Sequence, residues 1–68
     1  MKIRAEMMGA VLTHAYKDGA TVEASDVILE TECMKMTMYV ETPVSGVIKY
    51  LCQPGQMISE GDELAEVT

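Results

Sequence analysis

The chain has 68 residues, with eleven Asp and Glu against five Lys and Arg, for a formal charge of −6. A chain this short buries a small core and has little room to enclose a deep catalytic pocket as well, which favours a binding, carrier or recognition module over a complete enzyme. The missing basic patch argues against nucleic acid and against anionic membrane surfaces as partners. No run of about 18 apolar residues is present, so no membrane-spanning helix is predicted, and residues 1–15 lack the apolar segment of a signal peptide. Length alone fits a free-standing small protein and a piece of a longer chain equally well.

Taken in chain order, short apolar or alternating runs predict strands over 1–5, 9–16, 21–22, 27–33, 36–41, 46–52, 57–58 and 63–67. Asp18-Gly19, Ser25-Asp26, Pro43, Pro54-Gly55 and Gly61-Asp62 mark the turns between them. Helix-period stripes are absent. Only Ser59 to Glu66 tempts a helical reading, and Gly61 at its centre opposes it. The predicted class is all-β, a compact sandwich or flattened barrel of two small antiparallel sheets.

The chain also repeats itself. Gly19, Val22, Asp26 and Ile28 recur 36 residues later as Gly55, Ile58, Asp62 and Leu64. Upstream, Met7-Met8-Gly9-Ala10-Val11 resembles Val44-Ser45-Gly46-Val47-Ile48 at an offset of 37, so one residue of slack separates the two blocks. Neither half can bury an apolar face alone, so the halves are expected to pack about a pseudo-two-fold axis.

The alternation in 27–33 and 36–41 centres a hairpin. Leu29, Thr31 and Cys33 share one face of the first strand, and Met36, Met38 and Val40 share one face of the second. A two-residue loop at Met34-Lys35 sets Cys33 opposite Met36, Thr31 opposite Met38 and Leu29 opposite Val40, with Glu32 facing Thr37 and Glu30 facing Tyr39 on the wetter side. A slip of one residue scrambles both faces. Yet Met-Lys is poor chemistry for such a loop, which needs positive φ and favours Asn-Gly. A local rule broken at a protruding tip marks Lys35 as a candidate functional residue. An ordinary solvated lysine is the alternative reading.

Cys33 and Cys52 are too few for a disulfide framework. They are read as buried free thiols of a reducing compartment. With His14 they supply three soft ligands without the clustering of a structural zinc site, so no metal is expected. Met7, Met8, Met38 and Met57 are read as core filling.

Glu32-Cys33-Met34-Lys35-Met36 resembles the Glu-Ala-Met-Lys-Met signature of biotinyl domains, in which the central lysine is the biotin attachment site. Thr42-Pro43-Val44-Ser45-Gly46-Val47 is similar to the family's segment after the biotinyl hairpin, and Gln53 to Asp62 to its next turn. The internal repeat is a family trait too, and the resemblance covers roughly residues 3–67. It implies a biotin carboxyl carrier domain over 1–68 with the flattened barrel-sandwich fold, carrying biotin covalently on Lys35. Met34 and Met36 would be the contacts beside the attachment point, with Glu32 and Cys33 completing the recognition motif. The implied partners are a biotin protein ligase, a biotin carboxylase and a carboxyltransferase. Between the last two the arm would shuttle carboxybiotin inside a cell, in the cytoplasm or an organelle matrix, for an acyl-CoA or keto-acid carboxylase. The domain itself would be a carrier without a catalytic residue. Cys33 replaces the usual Ala, Glu6 stands where the family often has Pro, and Ser25 where it often has Gly. A lipoyl domain is the nearest rival, but its lysine is usually framed Asp-Lys-Ala, against Met34 and Met36 here. A barrel-sandwich module that is never modified is the rival from a different class.

Overall fold

In the computed structural model, which describes residues 1–68, eight strands and no helix form the molecule. They are β1 (Lys2–Arg4), β2 (Gly9–His14), β3 (Thr21–Val22), β4 (Val27–Cys33), β5 (Met36–Glu41), β6 (Gly46–Tyr50), β7 (Met57–Ile58) and β8 (Glu63–Val67). Each lies inside its predicted range; β1, β2 and β6 are shorter than the sequence pattern indicates. The strands form two four-stranded antiparallel sheets, ordered β1-β8-β6-β3 and β5-β4-β2-β7.

The repeat becomes a structural rule here. Exchanging β1 with β5, β8 with β4, β6 with β2 and β3 with β7 turns one strand order into the other. The hydrogen bonds obey the same exchange. Gly19 N donates to Ile48 O at 2.7 Å, and Gly55 N donates to Val11 O at 2.7 Å. Asp26 Oδ2 accepts from Glu23 N at 2.9 Å, and Asp62 Oδ2 accepts from Ser59 N at 2.8 Å. The one residue of slack also finds its place. The register of β2 on β4 shifts between Val11 and Thr13, whereas β6 runs unbroken along β8. Leu12 is therefore the extra residue of a β-bulge. The offset between halves is 37 before it and 36 after it.

Beyond the bulge, His14 and Tyr50 become equivalent residues, and they stack on each other with ring centroids 3.8 Å apart and planes 3° from parallel. The Tyr50 hydroxyl donates to Ile28 O at 2.5 Å and accepts from Tyr16 N at 3.2 Å, so a buried polar group is fully engaged. Burial pushes its phenol above the ordinary tyrosine range. Around this pair lie Val11, Val22, Ile28, Ile48, Ile58 and Leu64, drawn from both halves.

The two small antiparallel sheets are those expected, and one reading, that of the methionines, needs correction. The strand ladders do not close a barrel. β1 and β5 are unpaired edges, and a cleft of about 690 Å³ lies between them, lined in part by Ile3, Ala5, Thr31, Cys33, Met38 and Val40. Register shifts at Ile3/Arg4 and Val27/Leu29 sit beside these edges. Bulges add local twist, which turns the two edges apart. Nor do Met7, Met8, Met38 and Met57 fill the core; they are between 39% and 69% exposed. Met7 and Met8 lie in the β1–β2 connection, and Met57 points outward because Ile58 takes the inward position of a two-residue strand. Met38 sits on the inner face of an edge strand, beside the open cleft.

Ser25 has φ of 76°, and its counterpart Gly61 has φ of 89°. The left-handed region costs a residue with a Cβ about 1–2 kcal/mol, and Ser25 is exposed. Ser25→Gly should therefore stabilise the domain by about 0.5–1 kcal/mol after allowing for glycine's entropy, seen as a Tm rise of about 4 °C. An unchanged or lowered Tm contradicts the assigned strain. Cys33 and Cys52 are both buried free thiols, and burial raises the Cys52 thiol above its usual range, so little thiolate is available to react. An aromatic disulfide reagent should find almost no thiol in the native protein and two equivalents once it is unfolded without reductant. Rapid native labelling would show the burial to be wrong.

Candidate functional site

The β4–β5 hairpin takes the register read from its alternating faces. Leu29 pairs with Val40, Glu30 with Tyr39, Thr31 with Met38, Glu32 with Thr37 and Cys33 with Met36. That leaves Met34 and Lys35 as the loop, with φ of 53° and 65°. A two-residue turn that follows the right-handed twist of its strands needs positive φ at both positions. Neither residue is suited to it, and each costs about 1–2 kcal/mol. What holds them there is the strand pairing below. Cys33 and Thr31 are buried, with Thr31 Oγ1 3.7 Å from Cys33 Sγ. The start of β2 is pressed against the base of the loop: a Cβ on Gly9 would run into Glu32 O and lie 2.7 Å from Cys33 Sγ. The equivalent Gly46 lies equally close to the chain end, where a Cβ would be 2.6 Å from Thr68 O.

Of the five residues marked by the sequence, Glu32, Met34, Lys35 and Met36 lie on the surface, and Cys33 turns into the core. Cys33 is thus part of the support under the tip. Lys35 is exposed and engages no hydrogen-bond or ion-pair partner; both ion pairs, Lys2–Glu63 and Arg4–Glu63, belong to the other sheet. Met34 and Met36 flank it at 87% and 63% exposure. Such exposure of two large apolar side chains gains nothing for folding, and their flexible thioethers suit adaptable contact with another surface.

The pseudo-two-fold axis also relates the tip to the place where the chain ends meet. β1 pairs with β8 as β5 pairs with β4, and the Met1 amino group donates to Val67 O at 2.7 Å. Lys35 therefore stands at the turn of the β4–β5 hairpin, and the chain ends meet at the equivalent place of the β8–β1 pair. An accessible primary amine on a rigid hairpin is a group that can be acylated. No side chain hydrogen-bonds to Nζ in a position to serve as a base.

Sequence reasoning missed the outward placement of Met57 beside this end of the sheet. Met57 pairs with Ala10, which pairs with Glu32, so the three share the outer face. The signal was present in the order Met57-Ile58, since only one of the two can face inward and a buried isoleucine is the better core residue.

Comparison with known proteins agrees with this geometry. The family model described as "Biotin-requiring enzyme", which covers biotin and lipoyl attachment domains, matches residues 1–67. Pyruvate carboxylase from Staphylococcus aureus is 39% identical over 66 residues, covering 96% of this chain and 6% of that protein. Acetyl-CoA carboxylase 2 from Oryza sativa subsp. japonica is 38% identical over 66 residues, covering 97% of this chain and 3% of that one. The solved structure of a single-chain, multi-domain long-chain acyl-CoA carboxylase superposes with a TM-score of 0.87 at 30% identity, covering all of this chain and 7% of the other. The chain thus spans a small fraction of these relatives. With the repeat, the two matched sheets and the lysine-tipped hairpin, these similarities show that the chain belongs to the biotin–lipoyl family of biotin-requiring enzymes.

Proposed function

We propose that residues 1–68 form a biotin carboxyl carrier domain, that Lys35 is its attachment point, and that it serves an acyl-CoA or keto-acid carboxylase. The observation that carries this reading is the placement of Lys35. It is an unpaired, exposed amine at the apex of a hairpin whose turn is held in an unfavourable conformation. The group fits the site chemically, since biotin's carboxyl can form an amide with a primary amine and nothing in the turn obstructs Nζ. When bound, biotin supplies a ureido nitrogen that carries a carboxyl group from a biotin carboxylase site to a carboxyltransferase site.

The chain's own residues contribute position. The β4–β5 ladder and the close approach of Gly9 hold the tip, so the freedom of the arm lies in the lysine side chain and the attached group. Tethering raises the local concentration of the arm at each partner site over that of a free molecule. Met34 and Met36 offer apolar contact to a biotin protein ligase, which would bring the activated acyl group that this domain has no means to generate. Glu32 projects on the outer face beside them. The buried free thiols fit an intracellular, reducing compartment.

Lys35→Arg tests the assignment. Arginine keeps the charge and most of the length, but its guanidinium stays protonated and does not act as the nucleophile. With a biotin protein ligase, ATP and biotin, the natural protein should gain one biotinyl mass and bind streptavidin, and the variant should gain none. Its stability should change by less than ~0.5 kcal/mol, as expected for an exposed side chain. Biotin on the variant would move the site to Lys2, Lys17 or Lys49. A natural protein that takes a lipoyl group instead, or nothing, ends the reading.

A further inference from the structure

The two sheets leave four open edges, at β1, β3, β5 and β7. An open edge recruits other strands unless it is short, charged or bulged. β3 and β7 are two residues long. β1 has three residues, two of them Lys2 and Arg4, and a register shift lies between Ile3 and Arg4. β5, which the pseudo-two-fold axis equates with β1, is built differently. It is six residues long, has no Pro, Lys or Arg, and every residue but Val40 is exposed. Its ladder to β4 is regular from Cys33–Met36 to Leu29–Val40, and its one shift lies past Val40. The hairpin also fixes which backbone groups are free. The turn joins Met36 N to Cys33 O, and bonded pairs then alternate with unbonded ones along the ladder. Met36, Met38 and Val40 thus bond to β4. Thr37 and Tyr39 turn their N–H and C=O groups to the open side, where no turn or loop bond engages them.

This edge is complementary to itself. An antiparallel second copy whose Tyr39 faces Thr37 bonds through both free residues, and two-fold symmetry then sets Met38 against Met38 and Met36 against Val40. In the same register Glu41, the only charge of β5, comes alongside Lys35, the only charge in the turn. A slip of two residues is the smallest that keeps the two faces, and it moves Glu41 to Cys33 or Thr37 and leaves Lys35 without an acid. We propose that the unmodified domain pairs with a second copy of itself along β5, with Glu41 of each copy against Lys35 of the other. One edge buries less than the roughly 800 Å² per partner of a standard interface, so the pairing is weak and depends on concentration. Acylation turns the Lys35 ammonium into a neutral amide and sets the arm across the edge, so the loaded domain is released as a monomer. Only this release rests on Lys35 being the attachment point.

Sedimentation equilibrium of the unmodified chain, from micromolar to millimolar concentration at about 0.15 M salt, should show monomer passing into dimer. Thr37→Pro removes an N–H that faces the open side and spares the ladder to β4, and should weaken the dimer about tenfold. Lys35→Glu and Glu41→Lys should each weaken it too, although the second makes the net charge less negative. Mixed together, these two single variants should associate with each other, because each acid of one then faces a lysine of the other. That restoration belongs to the proposed register alone. A natural protein that stays monomeric throughout overturns the pairing, as does a dimer that none of the substitutions weakens, or single variants that fail to associate when mixed. If Thr37→Pro lacks a cooperative thermal transition, the charge exchange decides. Biotinylated protein, verified by intact mass, should remain monomeric where the unmodified protein dimerises, and a dimer that survives biotinylation overturns the release. A natural protein that takes no biotin ends the attachment reading, while sedimentation of the unmodified chain still decides the pairing.

Discussion

Everything in this structure depends on a core that neither half of the chain possesses. β3 belongs by sequence to the first half but pairs with β6, and β7 belongs to the second half but pairs with β2. The strands exchanged are only two residues long, too short to hold a sheet alone. They are fixed because Val22 and Ile58 are buried against residues of both halves and because the turn hydrogen bonds before them recur in each half. The His14–Tyr50 stack joins equivalent positions of the two halves. Their different side chains also show that the symmetry is approximate at this contact. For so short a chain, sharing one core between two interlocked halves is the economical way to reach adequate burial.

That interlock is what allows the tip to be strained. Two consecutive residues with side chains, both at positive φ, would disfavour an isolated hairpin. Here the loop is determined from below. Its register cannot slip without turning Leu29 and Thr31 outward, and Gly9 leaves no space between β2 and the last residues of β4. Glycine at position 9 matters through the absence of a Cβ rather than through its conformational freedom. Cys33 follows from the same geometry. It occupies the slot where the family usually has alanine, faces inward and contacts Thr31, so only a small side chain suits the position and the exchange leaves the exposed surface unaltered.

Much of this was legible in the residues because strand periodicity has one parameter. Once Leu29, Thr31 and Cys33 are assigned to one face, the pairing of the whole hairpin follows, and the structure reproduces each expected pair. The slack between the repeats was visible as a number, although which residue bulges was not, since Val11, Leu12 and Thr13 could each be the extra one by pattern. The methionines were misread for a different reason. Hydrophobicity says that a side chain can be buried, whereas burial of Met57 or Met38 depends on whether the facing sheet extends over it. The open side between β1 and β5 was hidden likewise, because edge twist arises from bulges in the ladders and not from composition.

The departures from symmetry carry more information about function than the symmetry does. Duplicated halves under the same folding constraint should keep similar side chains wherever stability alone decides, and they do so at Val22 and Ile58, Asp26 and Asp62, and Gly9 and Gly46. They differ most at the two ends and on the two outer faces. One end gathers the chain termini through β1 and β8, and the other closes in the Met34-Lys35 loop. One outer face has matched charges, and the other has acids among exposed apolar side chains. The same two-fold relation that pairs β1 with β8 pairs β4 with β5, so the Met34-Lys35 loop and the meeting of the chain ends are the two places where one strand pairing carries the most different local sequence.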